Sequence, residues 1–327
     1  MTRVLVTRTL PETWLAPLRA AFGEESVVEL PGDQAAKPEA LRAGVPGAHG
    51  IFSFVSDPIT EELMDLAGPQ LACVSNMAVG YDNIDVQAAT ARGIAVTNTP
   101  GVLSEATADL AWTLILAAAR RAGESERYLR AGQWTSWSAT RFLGVDLCGK
   151  TLGIFGMGRI GQAVARRAQG FRMPVLYHNR TRLPEETERA LNATHVDKAT
   201  LLSRSDFLSI NCPLTEETYH AFDHAAFAAM KPGAILINTA RGAVVDEAAL
   251  VDALESGQLR AAGLDVYEKE PTVHPGLLTC ENAVLIPHLG SASEETRCRM
   301  AHMTCENLVA RLTGQTPPHC INPASLS

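Results

Sequence analysis

The stretch Thr151–Phe171 reads TLGIFGMGRIGQAVARRAQGF. Its short apolar run leads into three glycines with the spacing G-x-G-x-x-G, at Gly156, Gly158 and Gly161, and an alanine-rich segment follows. In a strand–turn–helix unit the first glycine permits the tight turn, the second lets a pyrophosphate approach the backbone, and the third lets helix and strand pack closely. The phosphates then meet free N–H groups at the start of the helix. The stretch therefore predicts a dinucleotide-binding site.

The rest of the chain alternates in the same way between short β-branched runs and amphipathic segments. Such alternation is typical of a parallel sheet with helices on both faces. It occurs before and after a long helical segment predicted for residues 102–131. We therefore predict an α/β fold of two doubly wound parallel-sheet domains. A Rossmann nucleotide domain (residues 101–288) is inserted into a flavodoxin-like substrate-binding domain (residues 1–100), to which residues 289–327 return in a last helix predicted at 293–313.

The bulk composition is that of an ordinary globular protein. The 327 residues include 46% hydrophobic and 20% charged residues, which is enough for two cores. The formal net charge of −8 disfavours nucleic acid as a partner. Since neither a signal-peptide pattern nor an apolar run of membrane-spanning length occurs, we expect a cytoplasmic protein with no membrane partner. The seven cysteines are scattered without metal-ligand spacing, which predicts free thiols and no metal site.

The end of the second predicted strand of the nucleotide domain bears on the choice of cofactor. Dinucleotide folds that bind NAD usually carry an acid there, which bonds the ribose hydroxyls. Here the strand ends in Asn179, and Arg180, Thr181 and Arg182 follow it. An amide tolerates the 2′-phosphate of NADP, which an acid would repel, and the arginines and the threonine hydroxyl can bind it. The sequence favours NADP, with NADPH preferred; the alternative is solvated arginines beside an NAD site.

Polar side chains follow successive strands of the second predicted sheet. Arg241 comes after the run AILINTA, Glu270 after GLDVYEK, and His288 after AVLIP. Open α/β sheets bind ligands along the carboxyl ends of their strands, where these side chains are expected to meet. An arginine can bind a carboxylate together with a neighbouring carbonyl oxygen. A histidine held by a carboxylate can act as a general acid, so the three residues predict a catalytic site.

The combined motifs resemble those of the D-2-hydroxyacid dehydrogenase family. The resemblance covers essentially the whole chain and is greatest to the glyoxylate/hydroxypyruvate reductases within that family. Besides the opening stretch, it rests on NMAVGYDNID (76–85), LYHNRTR (176–182), MKPGAILINTARGAVVDEAALVDAL (230–254), GLDVYEKEP (263–271) and PHLGSASEETR (287–297).

The resemblance implies a role for each matching residue. Arg241 would bind the substrate carboxylate and keto oxygen, His288 would donate the proton to that oxygen, and Glu270 would hold the imidazole. Backbone N–H groups of Val79 and Gly80 would also bind the substrate carboxylate. The predicted cofactor-binding residues are Thr107, Gly156, Met157, Gly158, Arg159, Ile160, Gly161, Asn179, Arg180, Thr181, Cys212, Pro213, Thr239, Ala240, Asp265 and Gly290.

The activity implied by the resemblance is NADPH-dependent reduction of glyoxylate and hydroxypyruvate to glycolate and D-glycerate. Glu270 counts against formate-oxidising relatives, which typically carry an amide at that position. The alternatives are another 2-keto acid reductase of the family with a broader substrate range, and a dinucleotide-sensing regulatory protein. The resemblance also implies a homodimer built on the long helical segment and the loop after it. Trp137 in that loop would either reach the neighbouring subunit's site or pack in the interface.

Overall fold

A computed structural model describes residues 2–326, which divide into two compact units. The first unit comprises the chain up to Leu103 together with the part from Ala292 onward, and the second comprises Ser104–Ser291. Each contains one sheet in which all neighbouring strands are parallel. The predicted α/β class with two parallel-sheet domains is confirmed.

The strands of both units are short and largely buried. In chain order they are β1 (Val4–Val6), β2 (Val27–Glu29), β3 (Gly50–Ser53), β4 (Cys73–Asn76), β5 (Ala95–Thr97), β6 (Leu152–Phe155), β7 (Val175–His178), β8 (Ala193–His195), β9 (Phe207–Ile210), β10 (Ala234–Asn238), β11 (Leu259–Leu264) and β12 (Ala283–Leu285).

Helices connect most of these strands. They are α1 (Glu12–Phe22), α2 (Pro38–Gly44), α3 (Glu61–Ala67), α4 (Val86–Ala91), α5 (Ser104–Ala119), α6 (Ala122–Arg130), α7 (Arg159–Ala168), α8 (Glu185–Leu191), α9 (Lys198–Arg204), α10 (His224–Ala229), α11 (Glu247–Glu255), α12 (Pro275–Thr279) and α13 (Glu294–Leu312). Across residues 2–326, no helix has both the length and the apolar character that crossing a membrane requires.

The sheet of the first unit has the strand order β2-β1-β3-β4-β5. The last helix, α13, packs against α1, β3 and β4. Gly50 in β3 makes this close approach feasible, because a Cβ there would lie 2.9 Å from a methyl carbon of Leu308. Ser75 Oγ in β4 also donates a hydrogen bond to the carbonyl of Thr304, at 3.1 Å. The final helix thus completes the core of the unit in which the chain begins.

The sheet of the second unit has the strand order β12-β11-β10-β9-β6-β7-β8. The chain runs outward from β6 through β7 to β8 and then returns to β9 on the other side of β6. The strand order therefore reverses between β6 and β9. Open α/β sheets bind ligands beside such a switch point, at the carboxyl ends of the strands. The glycine turn that follows β6 lies at this point.

The helical segment predicted for residues 102–131 consists of two helices rather than one. Arg121 adopts a left-handed φ of 53°, so α5 ends at Ala119 and α6 begins at Ala122. The loop after α6 returns to this break, where the Val145 N–H donates to the carbonyl of Ala119 at 3.0 Å. The break is thus accompanied by a tertiary contact that the local pattern does not contain.

Candidate active site

The glycine turn has the geometry that the three glycines predict. Gly156 adopts a left-handed φ of 98°, and a Cβ there would lie 2.6 Å from the backbone nitrogen of Cys212. A Cβ at Gly161 would lie 2.3 Å from the carbonyl oxygen of Gly156, so only glycine lets α7 pack this close to the turn. Gly158 has open space where a side chain would stand. The other predicted residues of this segment lie in the turn or at the start of α7: Met157, Arg159 and Ile160.

A second turn, residues 179–183, follows β7. The Met157 N–H donates to Asn179 Oδ1 at 3.3 Å, and Asn179 Nδ2 donates to the carbonyl of Thr181 at 2.7 Å. The amide therefore ties this turn to the glycine turn, at the position where NAD-binding folds place an acid. Arg180 and Thr181 are exposed, and Arg180 has no ion pair within the described part of the chain.

The sequence suggested that Arg182 could bind the 2′-phosphate of NADP, but in the structure Arg182 is paired with Glu188. Its Nε and Nη2 donate to the two carboxylate oxygens of Glu188 in α8, at 2.9 and 2.8 Å. This contact could not be predicted from the sequence, because α8 spans only seven residues and its helical period could not be recognised.

Cys212 and Pro213 follow β9 beside the glycine turn. Burial raises the pKa of the Cys212 thiol to about 12, so the thiol is neutral at physiological pH. A neutral, buried thiol is a small apolar filler rather than a nucleophile. Cys212 and Pro213 can line a ligand channel, but the Cys212 thiol is not suited to act as a nucleophile.

Three further predicted cofactor residues meet near the end of β11. Asp265 is buried; its Oδ1 accepts from the Leu289 N–H, and its Oδ2 has no hydrogen-bond partner among residues 2–326. Thr107 Oγ1 donates to the carbonyl of Gly290 at 3.0 Å, and a Cβ at Gly290 would lie 3.2 Å from Asp265 Oδ2. Burial raises the pKa of Asp265 to about 6. A buried carboxyl oxygen without a partner is a candidate acceptor for an N–H group of a ligand.

Arg241 is held at the end of β10 by its neighbours. Asn238 Nδ2 donates to the carbonyl of Arg241 at 2.9 Å, while Asn238 Oδ1 accepts from the Ala240 N–H at 3.0 Å. The guanidinium Nη1 donates to the carbonyl of Ala240 at 2.8 Å. Thr239, between them, has a buried hydroxyl without a partner in the described residues. The end of β10 thus places the guanidinium of Arg241 beside the hydroxyl of Thr239, which has no partner in the described residues.

Glu270 and His288 form a hydrogen-bonded pair. His288 Nδ1 lies 2.7 Å from Glu270 Oε2, and Glu270 Oε1 accepts from the Tyr267 N–H at 3.0 Å. Burial by itself would raise the pKa of Glu270, but the hydrogen bond from His288 and the charges of His288 and Arg241 hold that pKa below its usual value. Because an ionised carboxylate can only accept, Nδ1 must carry a hydrogen. Nε2 is therefore the ring nitrogen left to act on a ligand.

The backbone of His288 helps to orient this pair. It adopts a left-handed φ of 51°, which costs of the order of 1–3 kcal/mol in a residue other than glycine. Its N–H donates to the carbonyl of Asp265 at 2.8 Å. The end of β11 therefore determines how the loop after β12 turns and where the imidazole lies.

Three residues that support the Glu270–His288 pair were not predicted from the sequence. Tyr267 Oη donates to the carbonyl of Ile286 at 3.0 Å and so joins the two loops. A Cβ at Gly242 would lie 1.8 Å from the carbonyl carbon of Tyr267, so only glycine lets the Arg241 segment lie against this loop. Glu247 in α11 accepts from the Glu268 N–H at 2.9 Å. Of the three, Gly242 alone had a signal in the sequence, which is its place directly after Arg241.

The predicted substrate-binding loop of the first unit follows β4. Asn98 Nδ2 donates to the carbonyl of Val79 at 2.8 Å, and Asn76 Nδ2 donates to the carbonyl of Gly80 at 2.9 Å. The N–H groups of Val79 and Gly80 have no acceptor in the structure as described. Two oriented and unused N–H donors are suited to binding an oxyanion.

The second unit fits a nicotinamide dinucleotide. The open space at Gly158 and the start of α7 suit a pyrophosphate. The side-chain oxygens of Thr239 and Asp265 that have no partner in the described residues are suited to hydrogen bonds with polar groups of the dinucleotide beyond the pyrophosphate.

Replacing Gly161 with alanine tests the glycine turn. The added Cβ would collide with the carbonyl of Gly156, so we expect NADH and NADPH to bind at least about tenfold more weakly. Gly170→Ala is the matched control, since no atom lies within 4 Å of the added Cβ. Titration of protein fluorescence measures both affinities, and unchanged affinity in Gly161→Ala would contradict the assigned role.

Replacing Asp265 with asparagine tests the buried carboxyl. Its pKa is about 6 when folded against 3.8 ordinarily, so wild type loses stability as the pH rises from about 4 to 6 and keeps that cost above 6. The variant avoids the cost, so we expect it to be more stable than wild type at pH 8 and about equally stable at pH 3.5. Urea unfolding at both pH values measures this; a difference independent of pH would count against the raised pKa.

The chain is similar to known proteins over almost its whole length. The chain is 47% identical to the glyoxylate reductase of Thermococcus litoralis, over 98% of this chain and 96% of that protein. It is 49% identical to the glyoxylate reductase of Korarchaeum cryptofilum over the same shares. Its structure is similar to that of the NADPH-dependent glyoxylate/hydroxypyruvate reductase of Sinorhizobium meliloti in complex with NADP and malonate. The TM-score is 0.84 and the identity 35%, over 99% of this chain and 97% of that one.

Residues 112–290 match the family described as D-isomer specific 2-hydroxyacid dehydrogenase, NAD binding domain. The match covers more than half of the chain, and the glyoxylate reductases extend the similarity to almost all of it. The fold of the second unit, its glycine turn and its Glu270–His288 pair are consistent with that match. The chain therefore belongs to the D-isomer specific 2-hydroxyacid dehydrogenases, NAD(P)-dependent oxidoreductases that act on small 2-keto and 2-hydroxy acids.

Proposed function

We propose that this enzyme reduces glyoxylate and hydroxypyruvate to glycolate and D-glycerate, with NADPH as its preferred cofactor. The glyoxylate reductases and the glyoxylate/hydroxypyruvate reductase to which the chain is similar support the substrates. The observation that carries the reaction type is the hydrogen bond between His288 Nδ1 and Glu270. It leaves Nε2 to carry the second hydrogen of the protonated imidazole, which is the proton that reduction of a carbonyl requires.

Each catalytic residue has one task in this proposal. The cofactor supplies the hydride that the keto carbon accepts. Arg241 binds the substrate carboxylate and keto oxygen and stabilises the negative charge that develops on that oxygen. His288 Nε2 delivers a proton to the same oxygen, and Glu270 stabilises the imidazolium before the transfer. The N–H groups of Val79 and Gly80 hold the substrate carboxylate.

The two units divide these tasks. We assign substrate binding to the domain formed by residues 1–100 and 289–327, because the free N–H groups of Val79 and Gly80 lie in the first unit. We assign cofactor binding to residues 101–288, because the glycine turn and the other cofactor residues lie in the second unit.

The preference for NADPH rests on the turn after β7. An acid in place of Asn179 would repel a 2′-phosphate, whereas the amide bonds the neighbouring backbone and carries no charge. Arg180 is an exposed cation beside it, and Thr181 offers a hydroxyl. NADH remains the weaker cofactor in this proposal.

A homodimer built on the helical segment of residues 102–131 and the loop after it stays a prediction. No residue of α6 is buried, and Trp134 and Trp137 are 61% and 81% exposed. Apolar side chains grouped in this way support an interface with a second copy of the chain. Sedimentation equilibrium measures the mass that decides between monomer and dimer.

Steady-state assays that cross NADPH and NADH with a panel of 2-keto acids test the proposed function. We expect the highest kcat/KM for glyoxylate or hydroxypyruvate, with NADPH preferred by at least about tenfold, which corresponds to about 1.4 kcal/mol. A preference for NADH would refute the cofactor assignment. Faster reduction of bulky keto acids than of either proposed substrate would refute the substrate assignment.

Replacing His288 with asparagine tests the proton donor. We expect kcat to fall by about 10²–10⁴-fold, because the amide cannot donate a proton to the developing alkoxide. Cofactor affinity should change little, since no cofactor contact is assigned to the imidazole. His224→Asn is the control, because that histidine is exposed and bonded to Asp252. Near-normal turnover in His288→Asn would exclude His288 from proton transfer.

A further inference from the structure

Glu188 in α8 is an acid buried beside the turn of residues 179–183. Its side chain is 7% exposed, and it accepts hydrogen bonds from three donors. Tyr177 Oη donates at 2.6 Å, and Arg182 donates through Nε at 2.9 Å and Nη2 at 2.8 Å. The arginine and the carboxylate thus form a two-point pair, which fixes orientation as well as distance.

The same contacts fix the backbone of the turn. Tyr177 Oη, which is fully buried, also accepts from the Leu183 N–H at 2.9 Å. At the other end of the turn, His195 Nε2 bonds the carbonyl of Asn179 at 3.3 Å. The turn is therefore held at its first residue, at its last residue and through the side chain of Arg182.

These anchors leave Arg180 as the exposed cation of the turn without an ion pair in the described residues, with the Thr181 hydroxyl next to it. Arg182, by contrast, is paired with the carboxylate of Glu188. The two arginines of one tetrapeptide therefore have different surroundings, although the sequence alone presents them as equivalent.

We propose that Glu188 is a positioning residue for cofactor choice: by binding Arg182 it fixes the turn that presents Arg180 and Thr181 to the 2′-phosphate of NADPH. This inference rests on the proposed preference for NADPH. Arg182 is the anchor of the turn, and Arg180 is the phosphate ligand.

The anchor persists over the working pH range. The hydrogen bonds from Arg182 and then from Tyr177 lower the pKa of Glu188 to about 2, so the carboxylate stays ionised. Burial raises the pKa of Tyr177 to about 12, so its hydroxyl stays a donor. The contacts of Glu188 with Arg182 and Tyr177 therefore keep their charge states near neutral pH.

The sign of one substitution separates an anchor from a direct ligand. If Arg182 bound the phosphate itself, Glu188 would compete with the phosphate, and Glu188→Gln would strengthen binding. If Glu188 holds the turn in place, Glu188→Gln weakens binding, because the neutral amide cannot accept both guanidinium donors as a carboxylate does.

Titration of the full-length protein with adenosine 2′,5′-bisphosphate and with 5′-AMP isolates the 2′-phosphate without requiring turnover. In Glu188→Gln we expect the affinity for the bisphosphate to fall about five- to tenfold, while that for 5′-AMP changes less than about twofold. Tyr177→Phe, which removes only the hydroxyl, should lower the same ratio in the same direction. Arg180→Gln should lower it further, by about tenfold or more.

Glu62→Gln is the matched control, since Glu62 also bonds an arginine, Arg42, but lies in α3 of the first unit. It should leave both affinities unchanged. Stronger bisphosphate binding in Glu188→Gln, or a ratio equal to that of wild type in both Glu188→Gln and Tyr177→Phe, would overturn the inference alone. Equal affinities of wild type for the two probes would overturn the NADPH preference and this inference with it.

Discussion

Because every strand of the second sheet runs in the same direction, the carboxyl ends of all seven lie along one edge. The candidate site groups of that unit follow such ends: the glycine turn follows β6, the turn of residues 179–183 follows β7, Arg241 follows β10, and Glu270 and His288 follow β11 and β12. Residues far apart in the chain thereby become neighbours. A change of strand direction or order would separate them.

The loops at this edge are also bonded to one another. Asp265 accepts the backbone N–H of His288 through its carbonyl and that of Leu289 through its carboxylate. Tyr267 holds Glu270 with its N–H and the segment before His288 with its hydroxyl. The imidazole therefore has one defined orientation and one defined site for its Nδ1 hydrogen. Arg241 adds charge near Glu270, which favours the ionised carboxylate that this arrangement needs.

The sequence contained the positions of the polar groups but not their partners. Glycine spacing and apolar strands are local signals, so the turn after β6 and the residues after β10 to β12 could be predicted with the parallel fold. The partner of Arg182 could not, because it lies in a short helix with no readable period. The break at Arg121 and the role of Gly242 depend on backbone approaching from distant segments, which no local pattern records. The information that could not be predicted therefore concerns tertiary contacts. One example is which of the two arginines, Arg180 or Arg182, is paired with an acid.

The central claim is that Glu270 keeps His288 ready to donate a proton from Nε2. The most direct test is kcat for glyoxylate reduction in wild type and in Glu270→Gln, with the affinity for NADPH measured in both proteins. A hydrogen bond to an ionised acceptor is stronger than one to a neutral amide, so we expect the variant to hold the protonated imidazole less firmly and kcat to fall by about tenfold or more, while the affinity for NADPH changes little. Equal kcat in the two proteins would contradict this role of Glu270.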